Sequence, residues 1–186
     1  MSLFAKASSE NFEPTPLGVF QSVCAFVEDI GTHEGTYQGR TTTRHQVVVC
    51  WELSEKMTRG ENLGKPFMIS KFYTLSLDKK ANLRKDLESW RGVAFTEEEL
   101  KGFDIERLIG ANCQLNIIEG TKMDGSKTAR IGAIMPLAKG SAKLTAVNTV
   151  PPAWINEKRN ESLEMRDTGN PAEPTGAQGV VDECPF

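Results

Sequence analysis

The sequence predicts a mainly β protein with one helical insert and a disordered C-terminal tail, and three observations predict it. Apolar, β-branched-rich stretches recur five times, at residues 17–30, 44–53, 67–77, 111–120 and 129–137. Between the third and the fourth the period changes, and Leu83, Leu87 and Trp90 stand at helical spacing. After about residue 150 the chain becomes rich in Pro, Gly and charge, with too little apolar surface to repay ordering. Three strands, a helix and a two-strand hairpin follow one another as in the OB-fold, a five-stranded Greek-key barrel with its helix between strands 3 and 4. Another small β-barrel or a sandwich competes with it, although five strands are too few for an immunoglobulin-like sandwich.

The elements follow in order. Residues 1–14 are polar and form a flexible N-terminus. The first strand, "LGVFQSVCAFVEDI", has hydrophobics on both faces. "GTHEGTYQGRTTT" holds three glycines among polar residues and reads as a mobile loop over 31–43. "RHQVVVCWEL" and "FMISKFYTLSL" are the second and third strands. Asp78 is the predicted N-cap of the helix, and Thr96 before "EEEL" is a second N-cap signal. Asp124-Gly125 joins the last two strands as a hairpin turn. The folded domain is therefore expected over 15–150 and a flexible acidic tail over 151–186, with Trp154 and Ile155 packing back on the barrel.

No apolar run approaches the roughly 20 residues that span a bilayer, and the N-terminus lacks the apolar core of a signal peptide. The expected location is the cytoplasm, with no membrane partner. The four cysteines are far apart and only two histidines are present, so neither a metal site nor a disulfide framework is expected. No phosphate-binding loop, nucleophile elbow or zinc-hydrolase motif occurs. The chain reads as a non-enzyme without a cofactor; a hydrolase with an unrecognised site is the rival of that class.

The net charge of −3 is unevenly spread. Residues 160–186 hold six acids and one base, a sum of −5, which leaves the other 159 residues 21 bases and 19 acids, a sum of +2. A mildly basic body with an acidic tail suits a body that meets a polyanion and a tail with a separate task.

Single-stranded nucleic acid needs cations along its backbone and rings against its bases. Alternation on the third strand puts Phe72 on the outer, groove face and Tyr73 on the core parity. Lys71 shares the core parity, from which a bulge or a strand end would release it. Trp51 is either a core anchor or, near its strand end, a stacking platform. Arg44 takes the groove parity of the second strand, and Arg40 lies in the loop that helps line OB-fold clefts. Lys122 and Lys127 flank the Asp-Gly turn, while Lys127 and Arg130 have opposite parity. Each base alone is more simply a solvated surface charge; the set of nine is the candidate single-stranded DNA site. The basic helix face with Lys79, Lys80, Arg84 and Lys85 is balanced by Asp78, Asp86 and Glu88 and reads as solvated.

The chain ends "DECPF". This resembles the C-terminal tip of bacterial single-stranded DNA-binding proteins, an acidic run closing in Pro-Phe after a disordered linker. The resemblance implies that Phe186 anchors in an apolar pocket of replication or recombination proteins, that Pro185 shapes it, and that Asp182 and Glu183 steer it. Here the acidic run is two residues long and is followed by Cys184. The stretch "FMISKFYTLSLDKKANLRKDLESWRGVAFTEEEL", with "LIGANCQLNI" after it, resembles phage-encoded OB-fold single-stranded DNA-binding proteins over roughly residues 15–140. That implies coating and protection of single strands, with little sequence preference, during phage replication, recombination or repair in a bacterial host. A protein-interaction adaptor that binds no DNA is the alternative, and the modest body charge favours it. Homo-oligomerisation, site size and the tail's partner stay open.

Overall fold

The computed structural model describes residues 13–37, 39–148 and 150–163. Five strands, β1 (Gly18–Tyr37), β2 (Arg40–Lys56), β3 (Pro66–Thr74), β4 (Asn112–Thr121) and β5 (Lys127–Pro136), form one antiparallel sheet in the order β3-β2-β1-β4-β5. Helix α1 (Asn82–Arg91) lies between β3 and β4 in sequence, and α2 (Ala153–Asn160) follows β5. Single 3₁₀ turns stand at Glu99–Lys101 and Ile105–Leu108. The expected order of five strands and one helical insert is therefore present. The sheet is not closed, because β3 and β5 are its two edges.

The central strand β1 is long and twice bulged. Its pairing with β2 shifts between Cys24 and Phe26 and again between Asp29 and Gly31. Each bulge adds one residue and slips the alternation by one. Cys24 and Val27 consequently both face the inner core, while Phe26 and Ile30 face the other side. This explains the two-sided hydrophobicity of the strand. The glycine-rich segment expected to be a loop instead continues the β1–β2 ladder from Gly31↔Gln46 to Tyr37↔Arg40. β-branched Thr41–Thr43 favour that ribbon, and Gly31, at φ 79°, follows the second bulge.

The inner core fills the concave side. Val47, Val49, Trp51 and Leu53 of β2, Phe67, Ile69 and Tyr73 of β3, and Cys113, Leu115 and Ile117 of β4 meet Leu83, Leu87 and Trp90 of α1. Trp51 and Trp90 pack with centroids 5.7 Å apart and planes tilted by 51°. α1 also bonds both edges of the sheet. Asp86 accepts from Lys71 and Tyr73 of β3, and Ser89 donates to the Ile134 carbonyl of β5. Trp90 Nε1 donates to the Asn112 carbonyl of β4 at 3.0 Å.

Three cap and turn expectations met different outcomes. Asp78 does not cap α1, whose N-cap position is Ala81 without a side-chain bond. Asp78 instead closes the preceding turn, accepting from Ala81 N at 2.8 Å and from Ser76 Oγ at 3.0 Å. Thr96 and Glu99 do form a reciprocal capping box, Thr96 N to Glu99 Oε2 and Glu99 N to Thr96 Oγ1. Asp124-Gly125 makes the β4–β5 turn, with Gly125 at φ 82°.

A smaller cluster covers the outer face of β1 and β2, where Ala25, Phe26, Ile30, Val48 and Cys50 enclose Ile155 of α2. Residues 153–160 are thus a docked helix and no flexible tail; the expected return of Trp154 and Ile155 to the sheet is what anchors it. Among the described residues no helix is long and apolar enough to cross a membrane.

Because Trp51 is 1% exposed and packs on Trp90, Trp51→Ala should lower the unfolding free energy by about 3–5 kcal/mol in urea titration. A loss below about 1 kcal/mol would remove Trp51 from the core.

Candidate nucleic-acid interface

The nine candidate residues separate into three groups. Arg40 and Arg44 are exposed on the β1–β2 ribbon. β2 has no bulge along its 40–49 pairing with β1, so Arg40, Thr42, Arg44 and Gln46 alternate onto the same side as Val48, the outer face. Lys122, Lys127 and Arg130 gather on the β4–β5 hairpin, at the opposite end of β1. Lys127 pairs with Glu119 at 3.0 Å on an open surface, a contact worth little. The stem of Arg130 lies flat on Gly120, where an added Cβ would meet Arg130 Cδ at 2.5 Å. A glycine there is what lets the long side chain cross β4.

The third group is Lys71, Phe72 and Tyr73 on β3, with Trp51 beside them on β2. Trp51 and Tyr73 are 1% and 4% exposed and offer no ring face to a base. Both sit on the core parity with α1 over them, so their candidacy as stacking residues is corrected. The Tyr73 hydroxyl donates to Asp86 Oδ2 at 2.7 Å. Burial pushes its phenol well above the usual value, and the Asp86 charge and hydrogen bond act in the same direction. Lys71 is corrected as well. Its ammonium donates to the same Asp86 oxygen at 2.6 Å, and the pair is half-buried between β3 and α1. No bulge releases Lys71 from the inner side, since its ladder with Val49 is regular.

Phe72 faces outward, as its parity predicts. It is 46% exposed and the most exposed aromatic among the described side chains. It is not bare, because Trp154 of α2 stands 5.8 Å away with a tilt of 54°. This neighbour was only half visible in the sequence: Trp154 was expected to pack back, but the residues around it lacked a clear helical period.

The chain between β5 and α2 forms a strap across the outer face, and polar side chains that the sequence reading had not singled out hold it. Gln21 of β1 donates to the Ala142 carbonyl at 2.6 Å. Asn112 of β4 donates to the Leu144 carbonyl at 2.9 Å and accepts from Leu144 N at 2.7 Å. Glu52 of β2, 2% exposed, accepts from Val147 N, Asn148 N and Asn148 Nδ2 at 2.6–2.8 Å. Beyond the strap, Arg159 donates to the Asp29 carbonyl at 2.9 Å and to Glu28 at 2.8 Å. A carboxylate inside an otherwise buried strand is a signal visible in the sequence: "VVVCWEL" carries Glu52 within a run of buried residues.

Burial raises the thiol pKa of Cys50 to about 12 and those of Cys24 and Cys113 further. These three cysteines are buried, neutral packing groups. Asp182, Glu183, Pro185 and Phe186 lie outside the described residues. No protein-family model and no curated protein sequence matches the chain.

Glu52→Ala leaves the Val147 and Asn148 N–H groups of the strap without their acceptor, and should cost about 1 kcal/mol. Limited proteolysis should then cut within 139–150 far faster than in the unaltered protein. Unchanged cleavage would mean that the strap is held without Glu52.

Proposed function

We propose that the protein is an OB-fold, single-stranded DNA-binding protein that coats exposed strands with little sequence preference. The observation that carries this is an exposed ring, Phe72, on the same sheet face as Arg40 and Arg44 of the long β1–β2 ribbon. A ring for the base and cations for the phosphates is the minimum a single strand requires. The fold part of the reading draws on the strand order. β1 pairs with both β2 and β4, the helix falls between β3 and β4, and OB-folds are partly open barrels. Lys122 and one of Lys127 and Arg130, which have opposite parity, would meet the phosphates at the other end of the sheet. The tail is proposed to recruit replication or recombination proteins through Asp182, Glu183, Pro185 and Phe186. The setting, phage replication or recombination in a bacterial host, rests on the resemblances of the tip and of residues 15–140. No catalytic step is proposed.

The second reading is a protein-interaction adaptor. Two observations favour it: the body carries a sum of only +2 outside residues 160–186, and the strap and α2 already occupy much of the outer face.

Fluorescence anisotropy of a labelled oligo-dT, titrated from low to high salt beside a duplex of equal length, separates the two. Single-strand binding should be salt-sensitive and duplex binding weak. In the double variant Arg40→Ala/Arg44→Ala the slope of log K against log salt should become shallower by about 1.4, at roughly 0.7 per phosphate contact. Phe72→Ala should cost about 1–3 kcal/mol. Absence of binding even at low salt would leave the adaptor.

Removing residues 180–186 should leave DNA affinity intact or slightly raised. A large loss of affinity would overturn the division of labour between body and tail.

A further inference from the structure

Resting on the DNA-binding reading, we infer that Trp154 on α2 is a second stacking residue, so that the binding surface is completed by a helix from beyond the β-domain. Phe72 and Trp154 form one aromatic pair, 5.8 Å between centroids, on the rim of β3. Trp154 is half-buried and Phe72 half-exposed, so the pair presents ring area to solvent beside Ser70 and Thr74.

The helix is fixed firmly enough to position a ring. Ile155 is fully buried against Val48, Cys50 and Ile30. Arg159, one turn on and therefore on the same side, bonds the Asp29 carbonyl and Glu28. Trp154 and Lys158, also four apart, share a neighbouring side of the helix. Lys158 pairs with Glu161 at an exposed surface, an interaction that a phosphate can replace at little cost.

The cations continue the pair in one direction. Phe72 is opposite Val48 on β2, and Gln46, Arg44 and Arg40 follow along the same face. The strap is anchored at the other end. Glu52 is opposite Met68, four residues from Phe72 and about 13 Å along the strand. A strand running from Trp154 and Phe72 along the ribbon would not cross the Glu52 clamp. Nucleobases are the occupant this arrangement fits: paired rings give π-faces, and Arg44 and Arg40, four residues apart on the same face, give charge for the phosphates.

The composition of the protein makes the test clean. It has three tryptophans, and Trp51 and Trp90 are 1% and 3% exposed. Quenching of intrinsic fluorescence by oligo-dT therefore reports Trp154. The full-length protein is titrated with oligo-dT by fluorescence and by anisotropy, together with Trp154→Ala, Trp154→Phe and Ile155→Ala. The inference expects quenching in the unaltered protein and its loss in Trp154→Phe, which keeps a ring and binds within a few-fold of normal. Trp154→Ala should bind about 5- to 100-fold more weakly. Ile155→Ala, which loosens the docking of the helix while keeping the Trp154 side chain in the chain, should also weaken binding. Normal binding by Trp154→Ala with no quenching in the unaltered protein would overturn the inference and leave the DNA-binding reading intact. Tighter binding by Trp154→Ala or Ile155→Ala would also overturn it, making α2 a cover over the site. No binding of oligo-dT by any form would overturn both.

Discussion

The structure depends on a single helix that serves both open edges of a sheet. β3 and β5 are the sheet's margins, and α1 ties to each: Asp86 to Lys71 and Tyr73 on one side, Ser89 to the Ile134 carbonyl on the other. Leu83, Leu87 and Trp90 fill the space between. An unpaired strand edge exposes hydrogen-bonding groups that invite other chains, and an unfilled concavity would leave Trp51 without a partner. One helix of ten residues answers both demands. Its cost is that Lys71 and Tyr73 are committed to holding the fold together. Two side chains that the sequence offers for binding are thereby withdrawn from it.

The outer face is built on a different principle. Its packing is thin, one buried isoleucine from α2 among five residues of β1 and β2. What covers it is held mainly by directional bonds, from Gln21, Asn112, Glu52 and Arg159. A burial of apolar surface tolerates sliding, whereas a buried carboxylate gripping two successive backbone N–H groups fixes register. The strap therefore returns the chain to a defined place, and α2 begins where Trp154 can meet Phe72. The division leaves the hydrophobic inner core as the source of stability and the polar outer contacts as the source of position.

Much of this could be read from the residues. Five strands, one helix, the Asp-Gly hairpin and the capping box at Thr96 all have short-range signals, and each lies where its signal falls. The outward placement of Phe72 follows from parity alone, and the inward placement of Trp51 and Tyr73 follows from the same rule. The failures share a cause. Residues 31–37 pair with 40–46 beyond a bulge between Asp29 and Gly31, and a bulge changes geometry without changing composition. α2 is short and carries one fully buried residue, Ile155. Its stability comes from contacts with strands more than a hundred residues away, as in Arg159 to Asp29 and Glu28, which no local window contains. Asp78 lost the helix start to Ala81 because Ser76 and Ala81 close a competing turn around it.

A body with so little excess charge bears on how a polyanion would be held. Bulk field cannot draw DNA strongly to a domain of sum +2, so on the proposed reading the work falls to local placement. Three of the basic candidates are at the far hairpin, where Lys127 is shared with Glu119 and Arg130 lies along β4. Arg40 and Arg44 lie on the face that carries Phe72. With few phosphates neutralised, binding still weakens with salt but with a shallow slope, and stacking must supply a correspondingly larger share of the affinity. That balance has a consequence for selectivity. A duplex presents its phosphates as readily as a single strand does, but it keeps its base faces stacked inside. A site poor in charge and dependent on rings would discriminate against duplex by the very feature that makes its net charge look inadequate.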